Sequence, residues 1–306
     1  LYPLSYLPFP TLYLFAFSLA YFLFLRLYQT LRRQISVKHC LREVVNGVGV
    51  IFFLFYLSWG FNYSLPSLVD RLGWDIPSVD SGDLVDLYHQ VTAEVVTARD
   101  SLLLVNKNGT GRESAHTLPS IRGSQLSWLE DNDLLVHVPA KIRPLPKGWL
   151  LRISTAGFYF PFGGEGYWDA GLHDLVIPFV MAHELAHNYG ITNEGEANFV
   201  AYHSCIRSHE PYVRYAGHLN FWRYVAGHLR KVEPEVFATL WACLPSEVKN
   251  DLKGIREEHK KYPDFLPEVR NLVYDTFLKT QGVKSGLRSY DEVVQLELAY
   301  RAQKIH

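Results

Sequence analysis

The chain has 306 residues, with 30 Lys and Arg against 31 Asp and Glu and a formal net charge of −1. That balance excludes nucleic acid as a partner, which needs a basic face. Three cysteines are too few for a disulfide scaffold. Cys205 and Cys243 either pair in an oxidising compartment or stay as buried free thiols, and the sequence leaves both open.

No charge occurs from Leu1 to Leu25, and TLYLFAFSLAYFLFL is apolar on every side. This predicts a membrane-spanning helix over about 5–25. A second uncharged stretch runs from Val44 to Val69 and predicts a span over about 44–64. Tyr56, Trp59, Phe61 and Tyr63 lie toward its far end, as an interfacial aromatic belt would. Between the spans, Arg26, Arg32, Arg33, Lys38 and Arg42 stand against one acid, Glu43. The positive-inside rule puts this segment in the cytoplasm and everything after about Ser64 outside it. The expectation is a two-span protein of the cell (inner) membrane, with the lipid bilayer as one partner. A cleaved signal peptide fits less well, because a second span follows.

From residue 70 to 306 charges are frequent and mixed, which predicts one extracytoplasmic domain. DLVDLYHQVTAEVVTARDSLLLV has helical spacing, with Asp83 near its start. NKNGTGRES reads as a loop; its sequon at Asn108, like the one at Asn62, carries no weight. The stretch from Arg143 to Phe179 mixes Gly, Pro and aromatics, which predicts short strands and tight turns. Helical patterns follow, with breaks near Pro211, Pro234, Pro245 and Pro263. The fold class is α+β, mostly helical.

The segment MAHELAHNYGITNEGEANF, residues 181–199, carries the chemistry. His183, Glu184 and His187 form H-E-x-x-H, and on a helix the two histidines share one face. Two such imidazoles can bind Zn²⁺, with Glu184 placed to take a proton from an attacking water. Gly190 can end the helix through a left-handed turn. A second helix then starts at EGEANF, where Glu194 and Glu196 compete to be the third ligand. Asn198 lies four residues after Glu194, on the same face, and can hydrogen-bond a ligand histidine from behind. Glu196 is offset by about half a turn, so the facing argument favours Glu194. The apolar run before His183 is too short for a third span, which keeps the site out of the bilayer.

At these residues the sequence resembles the gluzincin zinc peptidases, the thermolysin-like clan. It departs from that pattern in carrying Asn198 where most members have Asp, and in a short gap between His187 and Glu194. The wider chain is similar to a group of bacterial membrane proteins classed as a domain of unknown function with zinc-peptidase-like motifs. LYPL, WGFNY, GFYFPFGGE, PFVMAHELAHNYGITNEGEANFVAY, RYAGHL and SYDEVVQLELAY carry that similarity. Members have an additional N-terminal span, which fits a chain that begins at Leu1 rather than Met.

The resemblance implies a zincin-like domain with Zn²⁺ as cofactor and an oxyanion donor after the zinc segment. Tyr215 and His218, within RYAGH, are the first candidates; Tyr202, His203 and Arg214 come behind them. It also implies a substrate-binding strand ahead of the zinc helix, with Glu165 and Tyr167 lining the cleft; a plain glycine-rich hairpin is the alternative. The expected function is a membrane-anchored zinc metallopeptidase acting on a peptide or protein of the cell envelope. The alternatives are an inactive zincin-fold scaffold protein and a zinc amidase acting on cell-wall peptides.

Overall fold

The computed structural model describes residues 7–76, 80–107, 114–134, 140–265 and 292–303. The LYPL start, most of the NKNGTGRES loop and the first residues of SYDEVVQLELAY lie outside the described residues.

Two long helices come first, α1 (Thr11–Leu31) and α2 (Val37–Ser58). Both are long and apolar enough to cross a membrane. Their large side chains face outward, with Phe17 73 %, Phe24 64 % and Phe53 65 % exposed; exposed apolar area on this scale calls for an apolar environment. The helices sit closer to their connection than the predicted 5–25 and 44–64. Pro10, which cannot extend the ladder, precedes α1, and the Ser36 hydroxyl accepts from the His39 N–H at 3.2 Å to cap α2. Arg26 and Glu43 therefore lie within the helices and pair at 3.0 Å, leaving residues 32–36 as the link.

A short turn, Gly60–Ser64, and the small helix α3 (Leu68–Leu72) lead into the rest of the chain. The sequence division at 69/70 does not fall at a gap in packing, because Leu68 is 1 % exposed and belongs to the main core. Then come α4 (Ser81–Lys107), α5 (Ser114–Asp131), β1 (Lys141–Leu145), β2 (Gly157–Phe160) and β3 (Glu165–Asp169). The remaining described helices are α6 (Ile177–Asn188), α7 (Glu194–Ile206), α8 (Pro211–Val232), α9 (Pro234–Cys243), α10 (Ser246–Lys260) and α11 (Glu292–Gln303). Local chemistry sets several starts. Asp80 and Asp83 exchange side-chain-to-backbone hydrogen bonds ahead of α4, at 2.8 and 3.2 Å. Pro211 and Pro234 occupy first helical positions, where the missing N–H costs nothing.

Helices α6, α7 and α8 pack on one another, α4 lies along α8, and α5 covers α6 and α7. Trp128 of α5 and Phe199 of α7 meet edge to face at 5.7 Å, and Tyr202 stacks on Phe221 at 4.2 Å. Each such buried side chain contributes roughly 1.5–3 kcal/mol, so these contacts fix α7 between α5 and α8. Cys205 is buried in it and Cys243 is exposed, both unpaired.

The sheet has the order β1-β3-β2, with β1 parallel and β2 antiparallel to the central β3. All three strands lie against α6. The predicted role of β3 as an exposed substrate strand does not hold, since both of its edges are already paired. Glu165 and Tyr167 are each 0 % exposed. Glu165 accepts from the Thr11 N–H at 2.9 Å, the Thr11 hydroxyl at 2.8 Å and Arg143 at 2.8 Å, as well as from the Tyr167 hydroxyl. Burial alone would raise the Glu165 pKa, but these donors outweigh it and hold the carboxyl below its usual range. The pair fastens the start of α1 to the sheet and does not line a cleft.

Candidate metal centre

Helix α6 carries His183, Glu184 and His187 in its last two turns, and Met, Ala and Leu around them are buried. At its end Gly190 takes φ +88°, a conformation that favours glycine. The chain reverses there, and the Asn193 side chain accepts from the Glu196 N–H at 2.9 Å to start α7. Glu194, the first residue of α7, is thereby returned to the two histidines.

Three atoms converge. His183 Nε2 lies 3.0 Å from His187 Nε2 and 3.1 Å from Glu194 Oε2, and the third side measures 3.7 Å. A tetrahedral ion with bonds of about 2.0–2.1 Å separates its ligand atoms by about 3.3–3.4 Å, so the triangle has the size such an ion requires. Among the described residues this is the one group of three or more His, Cys, Asp or Glu able to hold a metal.

Protonation sharpens the argument. His187 Nδ1 faces the Ile191 carbonyl at 2.7 Å, and a carbonyl only accepts, so Nδ1 carries the hydrogen. His183 Nδ1 faces Asn198 Oδ1 at 2.9 Å, the same oxygen that accepts from the Tyr224 hydroxyl at 3.1 Å. With Nδ1 so occupied, each Nε2 turns toward the other and toward the Glu194 carboxylate. A positive charge among these three atoms, a proton or a metal ion, relieves the repulsion between their lone pairs. Burial pulls the His187 pKa down, yet the Glu194 carboxylate outweighs it and pushes it up to about 9. Burial likewise works against the Glu194 charge, but the two imidazoles hold its pKa well below the usual carboxylate range. The cluster could hold a metal ion, and two nitrogens with one oxygen are a donor set that suits a borderline metal such as zinc.

Glu184 points from the same helix toward the sheet. It is 3 % exposed, its Oε2 has no hydrogen-bond partner among the described residues, and burial raises its pKa to about 7 against the lowering pull of the two histidines. Its room is made by glycine. A Cβ on Gly157 would come within 2.6 Å of Glu184 Oε1 and 2.6 Å of the Tyr167 carbonyl oxygen, and one on Gly166 within 3.0 Å of Glu184 Cβ.

Glu196 turns away, as the facing argument expected. Its Oε1 accepts from the Leu68 N–H at 2.5 Å and so ties α7 to α3. Glu196 is also expected, alongside Asn198, to support the ligand histidines; it makes no hydrogen bond to His183 or His187, and of the two only Asn198 does so. The second apolar helix also reaches the site. Trp59 Nε1 donates to the His187 carbonyl at 3.1 Å, its ring lies 5.4 Å from Tyr159 of β2, and neighbouring Tyr63 feels the Glu194 charge.

Tyr215 and His218 are not in this constellation. The Tyr215 hydroxyl donates to Asp251 at 2.6 Å, and His218 lies 3.5 Å from Glu94 of α4. Burial and Asp251 together push the Tyr215 pKa up, leaving a phenol committed to its partner. The oxyanion role expected of these two residues is corrected on that ground: their helix turns them away from the metal centre. The α8 residue that does approach is Tyr224, whose pKa burial pushes up to about 12, opposed by Arg223 and aided by Glu194. The sequence signal for it is its position nine residues after Tyr215, about two and a half turns on, which is the opposite helix face.

No curated protein and no solved structure matches this chain. A family model described as "Protein of unknown function (DUF3810)" matches residues 2–298. That match takes in both apolar helices, the sheet and the His183–His187–Glu194 cluster together, and the chain belongs to this family.

Proposed function

We propose that the protein is a membrane-anchored zinc-dependent peptidase of gluzincin type, with its site on the extracytoplasmic side. One observation carries the reading: one ligand atom each from part-buried His183 and buried His187 and Glu194 converge at metal-ligand separations, with the rings oriented by Asn198 and Ile191. Zn²⁺ held there supplies Lewis acidity that polarises a carbonyl and acidifies water. His183, His187 and Glu194 hold the ion, and Asn198 orients His183. Glu184 takes the proton of the attacking water and passes it to the leaving amine. The outer edge of β2, unpaired among the described strands and passing directly over Glu184, offers an extended substrate a place to lie.

Sidedness follows from charge. The start of α1 and the end of α2 both abut the helical domain, so their link lies at the opposite end. Arg26, Arg32, Arg33, Lys38 and Arg42 cluster at that link, which assigns it to the cytoplasm and the domain to the other side.

The deciding experiment is Glu184→Gln in the full chain, with zinc content and hydrolysis of a peptide library measured on one preparation. Zinc is expected to stay at wild-type level while hydrolysis falls about 10²–10⁴-fold. A wild-type protein that holds zinc and hydrolyses no peptide would instead favour a binding protein built on this fold.

A further inference from the structure

One cavity, of about 670 Å³, adjoins the metal centre, within the size range of ligand pockets. Val180, one helical turn before His183, forms part of its wall. Tyr224, bonded to Asn198, forms another part, and Ala156 leads from it into β2 beside Glu184. Val180 thus places one wall of the cavity on the turn of α6 that precedes His183.

Its charge is one-sided. Arg223, Arg230, Arg256 and Lys260 line it, and among the described residues no Asp or Glu does. Several cations elsewhere are paired, such as Arg99 with Asp251, Arg143 with Glu165 and Arg301 with Glu94. Among the described residues the four cavity cations form no ion pair. Arg223 bonds only a neutral group, Asn220 Oδ1 at 2.8 Å. Its side chain is exposed, and desolvation by the protein beside it pulls its pKa down. A guanidinium stays charged through such a shift, so an accessible charge with N–H donors still to spare lines the cavity. Four like charges at one concavity raise the local concentration of anions.

We infer that this cavity binds a carboxylate of the substrate, so that the protein acts on peptides bearing a negative charge beside the cleaved bond. The inference rests on the peptidase reading, which supplies the peptide. The carboxylate comes from the peptide's own C-terminus or from an acidic side chain, and both satisfy a guanidinium fork alike. Arg223, nearest in sequence to Tyr224, is the anchor, and Arg256 and Lys260 form the outer rim.

The test is equilibrium binding, which does not need turnover. Three fluorescent tetrapeptides are titrated into the full chain carrying Glu184→Gln, with and without Zn²⁺: a free C-terminal carboxylate, the amide, and the amide with one Asp. A charged form is expected to bind about tenfold more tightly than the plain amide. Whichever charged form binds better identifies the source of the carboxylate. Arg223→Gln is expected to reduce that ratio to about twofold or less, and the rim double variant Arg256→Gln/Lys260→Gln to lower it at least about threefold. Equal binding of all three peptides overturns the inference, and so does a ratio that survives both variants. Tighter binding of glycerol 3-phosphate than of any peptide also overturns it, by marking a lipid-headgroup site. If the peptidase reading alone fails, the wild-type chain hydrolyses none of the three peptides while the binding ratio persists.

Discussion

Asn198 is the most informative residue to change, because one oxygen serves two donors. Its Oδ1 accepts from His183 Nδ1 and from the Tyr224 hydroxyl, while its Nδ2 is buried with no partner. Asn198→Ala leaves both donors without an acceptor in a site where Asn198 itself is 2 % exposed. His183 then loses what fixes its tautomer and ring plane. Loss of such a supporting partner costs about 10–100-fold in metal affinity, or about 1.4–2.7 kcal/mol. Asn198→Asp acts in the other direction. It keeps the acceptor, removes the unpartnered Nδ2 donor and adds a negative charge behind the imidazole, which strengthens a ligand to a cation. The order expected is therefore Asp tightest, Asn intermediate and Ala weakest. Zinc affinity is read by competition with a chelator of known strength, on the full chain in detergent. Equal affinity in Asn198→Ala and wild type would refute the claim that Asn198 orients His183. Weaker binding in Asn198→Asp would show that the buried charge costs more than it returns.

Three further outcomes follow from the same geometry. Glu194→Ala is expected to lose most bound zinc, and Glu196→Ala to retain it while thermal stability falls through loss of the Leu68 contact; zinc content and melting temperature of both variants check this. Reporter domains fused at Gln34 and after Ser64 are expected to report cytoplasmic and extracytoplasmic locations respectively, and the reverse pattern would move the site to the cytosol. The third concerns acid. Burial works against the Glu94 charge, but hydrogen bonds and charge from His218 and Arg301 lower its pKa from 4.5 to about 2. A carboxyl lowered on folding stabilises fully above its unfolded pKa and progressively less as pH falls toward the folded one. Stability is thus expected to decline between about pH 4.5 and pH 2, and Glu94→Gln to flatten that part of the curve in urea titrations.

The convergence of His183, His187 and Glu194 was legible because its signal is local. H-E-x-x-H fixes three side chains on one helix, and a glycine-led reversal limits where the next acid can arrive. Glu194 and Asn198 followed from helical phase alone. The errors lie where phase or strand order is set by distant packing. RYAGH is helical, as expected, but nothing in it says which face of α8 meets α6; packing against α4 and α10 took Tyr215 and His218, and the opposite face supplied Tyr224. The role predicted for β3 failed similarly, because sequence order cannot reveal that the last strand inserts between the first two. The two apolar helices were recognised by composition, but their ends depended on Pro10, Ser36 and the Arg26–Glu43 pair, which a window of average hydropathy does not weigh.

The contacts of Thr11, Trp59 and Leu68 change what may be cut from this protein. Thr11 supplies two of the donors to buried Glu165, Trp59 bonds the backbone of His187, and the Leu68 N–H meets Glu196. A soluble fragment beginning at residue 70 would keep every ligand yet strip one wall from the catalytic chamber and leave two acids short of donors. The anchor is thus architectural as well as a tether. It also sets a fixed height. Trp59 directly follows the last residue of α2 and bonds the His187 backbone, so the His183–His187–Glu194 cluster stands at the rim of the helix pair with no stalk between them. Under the proposed peptidase reading, that height would favour chains already held close to the bilayer surface over those diffusing freely beyond.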